Sequence, residues 1–169
     1  MKTSKAIKNL TSASLFAALI LIATYFHTPM PNANGGYIHI GDAIIYLCAS
    51  MLPLGYSILA AAVGGALCDI ISGYALYAPA TLIIKALLCI GFTSKEAKLL
   101  NKKNCFASAL GIIITIGGYY IAEAVIYQSF VAPIASITGN LVQSIGSLVV
   151  YIVVAIALDK SDVKKKLEL

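Results

Sequence analysis

Apolar runs of helix length recur from one end of the chain to the other, separated by short polar breaks. Runs near 10–26, 41–52, 56–71, 79–92, 105–127 and 137–158 each read as a membrane-crossing helix. The breaks are of two kinds. Three carry lysine: Lys2, Lys5 and Lys8; Lys95, Lys98, Lys102 and Lys103; and Lys160, Lys164, Lys165 and Lys166. The others hold Pro, Gly, Asn or Ser and no lysine, as in His27–Ile40 with Pro29, Pro31, Asn32, Asn34, Gly35 and Gly36. Positive charge flanking a span marks the cytoplasmic side, so the lysine breaks belong inside and His27–Ile40, Ser72–Tyr77 and the turn around Pro133 outside. The pattern predicts an all-α integral membrane protein. It is a six-transmembrane-helix bundle with both termini cytoplasmic, and 1–169 forms a single transmembrane domain.

Composition strengthens that picture. Of 169 residues, 60% are hydrophobic and 11% charged, and the mean hydropathy is +0.90, too few charges to cover a water-facing surface. The net charge of +5 comes from lysines that flank apolar spans without interleaved aromatics, which argues against nucleic acid as a partner. Cys48, Cys68, Cys89 and Cys105 lack metal-ligand spacing and read as small apolar fillers, and no metal site is expected. The first apolar run is long enough to span and is followed by Pro29 and Pro31, so it reads as a retained helix rather than a cleaved leader.

Individual spans carry further signals. The second is short, which predicts tilt or burial, and ends where Pro53 and Gly55 make a tight turn. The third is dense in small residues, with Ala60, Ala61, Gly64 and Gly65 allowing close helix approach, and is placed inside the bundle. Pro79 opens the fourth in the first-turn position that proline tolerates.

Asp42, Asp69, Lys85 and Glu123 fall within or at the edge of these spans. An unpaired charge at the bilayer centre costs at least about 2.5–3.5 kcal/mol, so each must have a partner or a role. On this topology all four lie in the outer half of the membrane. Lys85 either pairs with Asp69 or Asp42 or lines a cavity that meets a polar ligand. Tyr120, Glu123 and Tyr127 share one face of the fifth span; Asn140, Gln143, Ser147 and Tyr151 share one face of the sixth. Ser147 and Tyr151 read as interhelical hydrogen-bonding groups, whereas Glu123, Asn140 and Gln143, nearer the outer mouth, read as ligand contacts. Tyr37 and Tyr74 read as interface anchors. The candidate substrate-binding set is His39, Asp42, Asp69, Tyr77, Lys85, Glu123, Tyr127, Asn140 and Gln143.

The strings Gly36-Tyr37-Ile38-His39-Ile40-Gly41-Asp42-Ala43 and Gly73-Tyr74-Ala75-Leu76-Tyr77-Ala78-Pro79-Ala80-Thr81-Leu82-Ile83-Ile84-Lys85 flank the small-rich third span and Asp69. In that order they resemble the substrate-binding S components of energy-coupling factor (ECF) transporters. The likeness is closest to the riboflavin-type group that also contains hydroxymethylpyrimidine and pyridoxine carriers. The resemblance implies a multi-pass protein of a prokaryotic plasma membrane. It would bind a vitamin near the outer face, partly under the loop between the first two helices, and topple within the membrane to release it. It also implies docking on a transmembrane T component and two cytoplasmic ATPases through small residues of the first helix, here Ala13, Ser14, Ala17 and Ala18. The chain has no Gly-Lys pair and hence no phosphate-binding loop, so it carries no cofactor of its own and ATP is used by the partners. A small ring with hydroxymethyl groups is favoured as substrate, with riboflavin or pantothenate as alternatives. An ion-coupled carrier and an intramembrane enzyme using Asp69, Glu123 and Lys85 are the competing classes. The enzyme reading lacks a nucleophile–base or metal-ligand constellation.

Overall fold

The computed structural model of the chain describes residues 2–29 and 37–167, with side chains from residue 5 onward. Pro31, Asn32, Asn34, Gly35 and Gly36 of the expected outward loop lie outside the described residues. The helices are α1 (Lys2–Tyr25), α2 (Gly41–Met51), α3 (Leu54–Ile71), α4 (Ala78–Leu88), α5 (Lys102–Ile126), α6 (Ile134–Lys160) and the short α7 (Val163–Lys166). Strands β1 (Thr28–Pro29) and β2 (Tyr37–Ile38) pair antiparallel, Thr28 opposite Ile38 and Pro29 opposite Tyr37. The composition of 27–40 predicts a loop there, and the structure adds this short pairing to it.

Helices α1, α3, α5 and α6 are long and apolar enough to cross a membrane. They display Leu15, Leu19, Ile113, Ile121, Val149 and Val153 on their outer faces, as a surface solvated by lipid requires. Helices α2 and α4 have 11 residues each, a rise of roughly 16 Å against a hydrocarbon core of about 30 Å. α4 ends at Leu88, earlier than expected, because the chain turns over Cys89–Gly91, with Gly91 at φ +100.

Packing runs in a ring: α1 on α3, α3 on α4, α4 on α5, α5 on α6, α6 on α2 and α2 on α1. α2 also meets α3 and α4 and is buried at every position but Ile44, which explains how a helix too short to span is nonetheless strongly apolar. The α1–α3 approach depends on Gly64, where a Cβ would lie 2.6 Å from the Ala17 carbonyl oxygen. Ala13, 2% exposed, and half-buried Ala17 therefore face the bundle. Of the four residues expected to dock a partner, only Ser14 and Ala18 are exposed.

Local chemistry sets the helix ends. Asp42 in the first turn of α2 complements the helix dipole. Pro79 starts α4. Asn101 caps α5 by accepting from the Asn104 backbone N–H at 3.0 Å. At the end of α3, Gly73 adopts φ +85 and Tyr74 N–H closes back on the Asp69 carbonyl at 2.7 Å, a left-handed helix stop that orients Asp69 and Tyr74 together.

The lysine-bearing end is stitched by buried polar groups. Asn104 bonds Thr93 and Leu99 backbone atoms, and the Asp159 carboxylate accepts from Leu99 and Leu100 N–H at 2.7 and 3.0 Å. Lys164, expected in an exposed basic tail, is instead buried and donates to the carbonyls of Ser50 (3.0 Å) and Glu96 (2.6 Å). It supplies a cation to the carbonyl end of α2, and burial holds its pKa below the usual lysine range. Tyr151 bonds Ser50 Oγ and the Leu99 carbonyl, which agrees with its reading as interhelical glue, whereas Ser147 Oγ has no hydrogen-bond partner among the described residues.

Candidate functional site

At the opposite end, α3 and α5 finish where α2, α4 and α6 begin, and their termini surround a chamber. It is lined by Tyr37 from β2, His39, Asp69, Tyr74, Tyr77, Tyr119, Glu123, Asn140 and Gln143. The cavity measures about 40 Å³. That volume suits one or two waters rather than a drug-sized molecule, whose pockets span roughly 300–1,000 Å³.

Asp69 is 3% exposed. One of its oxygens accepts a short hydrogen bond from the Tyr37 hydroxyl, while Oδ2 has no hydrogen-bond partner among the described residues. Burial first, and the Asp69 carboxylate second, push the Tyr37 phenol well above the ordinary tyrosine range. Across the chamber, Glu123 Oε2 accepts from Ser136 Oγ at 2.7 Å. His39 Nδ1 accepts from Gly41 N–H at 2.9 Å, leaving its proton on Nε2. Burial, aided by the Lys85 charge, lowers its pKa to about 3, so the imidazole is neutral at physiological pH.

Aromatic rings form much of the wall. His27 stacks on Tyr37 with centroids 4.1 Å apart, Tyr74 meets Tyr37 edge-on at 4.8 Å, and the Tyr77 and Tyr127 hydroxyls bond at 2.9 Å. Tyr119 OH lies 3.1 Å from Thr81 Oγ1.

The structure brings His39, Asp69, Tyr77, Glu123, Asn140 and Gln143 together around this space. Three residues of the expected set stand elsewhere. Lys85 Nζ and Asp42 Oδ1 are 2.6 Å apart, 1% and 0% exposed, and Gln143 Nε2 donates to Asp42 Oδ2 at 3.2 Å. The pair is not among the lining side chains: it lies under the chamber, reached from it through Gln143. Of the two readings of Lys85, the ion pair with Asp42 is the one realised. Tyr127 does not line the cavity and bonds to Tyr77. Tyr119 was missed: the stripe Tyr120, Glu123, Tyr127 drew attention to Tyr120, whose hydroxyl donates to the Phe130 carbonyl at 2.6 Å. The i, i+4 step from Tyr119 to Glu123 was the usable signal. Tyr37 and Tyr74, read as interface anchors, belong to the chamber wall.

A lipid-exposed helical bundle that keeps carboxyl groups, amides and tyrosines converged on one chamber, with Lys85 paired to Asp42 beneath it, is the architecture of a membrane-embedded protein with a polar site at one end. The chain belongs to the family of S components of ECF-type riboflavin transporters, whose model matches residues 4–160. These are non-enzymatic, substrate-binding subunits. The fold is that of a solved S component of a bacterial ECF transporter: the two are 17% identical, the match covers 92% of this chain and 97% of the other, and the TM-score is 0.71. No curated protein matches the chain.

Proposed function

We propose that this chain is the substrate-capturing subunit of an ECF importer in a prokaryotic plasma membrane, taking up a small vitamin or vitamin precursor from the outer face. The whole chain acts as one transmembrane domain with six crossing segments. α2 and α4 cross as short helices together with the segments that flank them, and both termini lie in the cytoplasm. His39, Asp69, Tyr77, Glu123, Asn140 and Gln143 contact the substrate, joined by Tyr37, Tyr74 and Tyr119. Asp42 and Lys85 hold Gln143 in place from below. A T component and two ATPases supply the driving force, with Ser14 and Ala18 the small residues on α1 that a partner can reach.

The observation that carries this reading is the placement of the polar chamber at the end of the bundle away from all three lysine-bearing segments. By the charge rule that end faces outward, where a scavenged molecule arrives. The small cavity, and the absence of Trp from the sequence, favour a single small ring over a flavin. Riboflavin remains the second reading because the family description names it. Capture of either requires the lining groups on β2 and the Ser72–Tyr77 turn to move outward, since about 40 Å³ holds neither.

Native mass spectrometry of the purified protein, followed by titration with pyridoxine, hydroxymethylpyrimidine, riboflavin and pantothenate, tests the proposal. A bound vitamin-like mass, lost when the chamber is altered, is the expected result. Protein that carries and binds none of them, or that accumulates substrate alone in liposomes without ATPases, refutes it.

A further inference from the structure

Helices α2 and α6 run in the same direction and meet along a seam of polar side chains spaced one helical turn apart. Asp42, Tyr46 and Ser50 supply it from α2, and Gln143, Ser147 and Tyr151 from α6. The first and third rungs are joined directly. Gln143 Nε2 donates to Asp42 Oδ2 at 3.2 Å, and the Ser50 and Tyr151 hydroxyls lie 2.9 Å apart. From Asp42 to Ser50, and from Gln143 to Tyr151, each helix rises about 12 Å. The two bonded rungs therefore fix the register and put Tyr46 and Ser147 at the same level between them.

The middle rung has no direct bond. Tyr46 and Ser147 are both 0% exposed, yet neither the Tyr46 hydroxyl nor Ser147 Oγ has a hydrogen-bond partner among the described residues. Ser147 also forgoes the bond that a helical serine can make to the carbonyl one turn back. Ser50 makes that bond to Tyr46 and Ser144 makes it to Asn140, each at 2.7 Å, so the Ser147 hydroxyl alone of these is not engaged by its own helix. The Tyr46 hydroxyl ends against α5 at Gly111, where a Cβ would lie 2.3 Å from it; the glycine gives it space and no side-chain partner.

Two buried hydroxyls left unpaired at one level of a bundle are costly, and water is the smallest molecule that donates to one while accepting from the other. A metal ion needs more oxygen ligands than this rung supplies. We propose that one ordered water occupies the middle rung and bridges the Tyr46 hydroxyl to Ser147 Oγ. With it, polar contact between α2 and α6 is continuous from Gln143 in the chamber wall to Tyr151 and the Leu99 carbonyl at the lysine-bearing end. Ser147 then acts as the interhelical bonding group that its place on α6 predicts, through water rather than directly.

The sign of two small substitutions in the full-length protein in detergent tests the bridge. Tyr46→Phe and Ser147→Ala each remove one partner of the water, and each should lower the melting temperature by about 1–6 °C. The double variant should fall by less than the two singles added, because both act on one water. Hydroxyls that are simply unpaired give the opposite sign: Tyr46→Phe then melts at or above the parent temperature, and that result overturns the proposal, as does strict additivity of the two losses. A structure of the unsubstituted protein at a resolution that shows waters gives the direct readout and decides the matter should a variant fail to fold. Density within hydrogen-bond distance of both hydroxyls is expected; hydroxyls in direct contact, or a rung without density, refute the bridge. Neither side chain lines the chamber, so failure here leaves the substrate-capture reading untouched.

Discussion

Breaking the Lys85–Asp42 pair one side at a time should be far more damaging than removing it whole. With Nζ and Oδ1 2.6 Å apart and both side chains 0–1% exposed, the gross attraction is about 6 kcal/mol at an effective dielectric near 20. Against it stands a desolvation cost of several kcal/mol per ion. The net worth of the pair is therefore small, but each charge depends on the other. Lys85→Met leaves the Asp42 carboxylate with only the Gln143 amide at 3.2 Å, and such one-sided removals cost about 3–5 kcal/mol. At roughly 2–4 °C per kcal/mol for a chain of this length, the melting temperature should drop by about 6–20 °C. The double variant Asp42→Leu/Lys85→Met should return to within about 1 kcal/mol of the parent or exceed it. Cys48, Cys68 and Cys89 are buried free thiols, so a thiol-reactive fluorophore reports unfolding in detergent directly. A single variant that melts within a degree or two of the parent, or a double variant as unstable as the singles, would refute the reasoning. Ligand affinity supplies a second readout. Because the pair does not line the chamber but holds Gln143, a folded double variant should bind within severalfold of the parent, and complete loss of binding would mean that the pair touches substrate or that Gln143 cannot keep its place without Asp42.

Three further outcomes are expected. His39 titrates near pH 3 when folded and near 6.5 when unfolded, so the unfolded chain takes up the proton first as pH falls. Its contribution to stability is complete above pH 6.5 and declines by about 1.4 kcal/mol per unit below that, down to about pH 3. His39→Asn, which keeps an acceptor for Gly41 N–H, should flatten the melting profile between pH 7 and 5, and a parallel profile would contradict the assignment. Thr115 is fully buried with its hydroxyl unpartnered among the described residues. The isosteric Thr115→Val should therefore raise stability by about 1–3 kcal/mol, and a fall would reveal a partner for that hydroxyl. Ala18→Trp on the exposed face of α1 should leave ligand affinity unchanged and abolish uptake in vesicles reconstituted with the partner subunits; normal uptake would remove α1 as the docking surface.

The helices were legible where hydrophobic length and a turn signal coincide. α3 starts after Pro53, α4 opens at Pro79, and α5 and α6 begin and end within about three residues of the expected bounds, because lipid forces long runs into helix and Pro or polar breaks end them. The short β1–β2 pair was invisible because two-residue strands have no periodicity to read. Lys164 looked like part of a solvated tail, since nothing local reveals that the Ser50 and Glu96 carbonyls converge on it from remote elements. Small residues at 13 and 17 signal a close helix contact, but not with whom; Gly64 on α3 provides the answer within the chain.

The site was half legible, for a definable reason. Cost arguments identify which residues need an explanation, and Asp42, Asp69, Lys85 and Glu123 all have one. What sequence leaves open is which acid meets the lysine, since Asp42 and Asp69 lie on different helices and either fits the depth. That choice follows from burial of α2 between α1 and α6 and against α3 and α4, which turns Asp42 toward α4 and α6 and leaves Asp69, at the end of α3, facing the cavity. Had Lys85 paired with Asp69 instead, the chamber would present Asp42 deep and neutral surroundings above. The observed partition places the Lys85–Asp42 pair beneath the chamber and the Asp69 and Glu123 carboxyl groups around the space, so the groups that meet an incoming molecule are the two acids at the ends of α3 and α5, not the lysine.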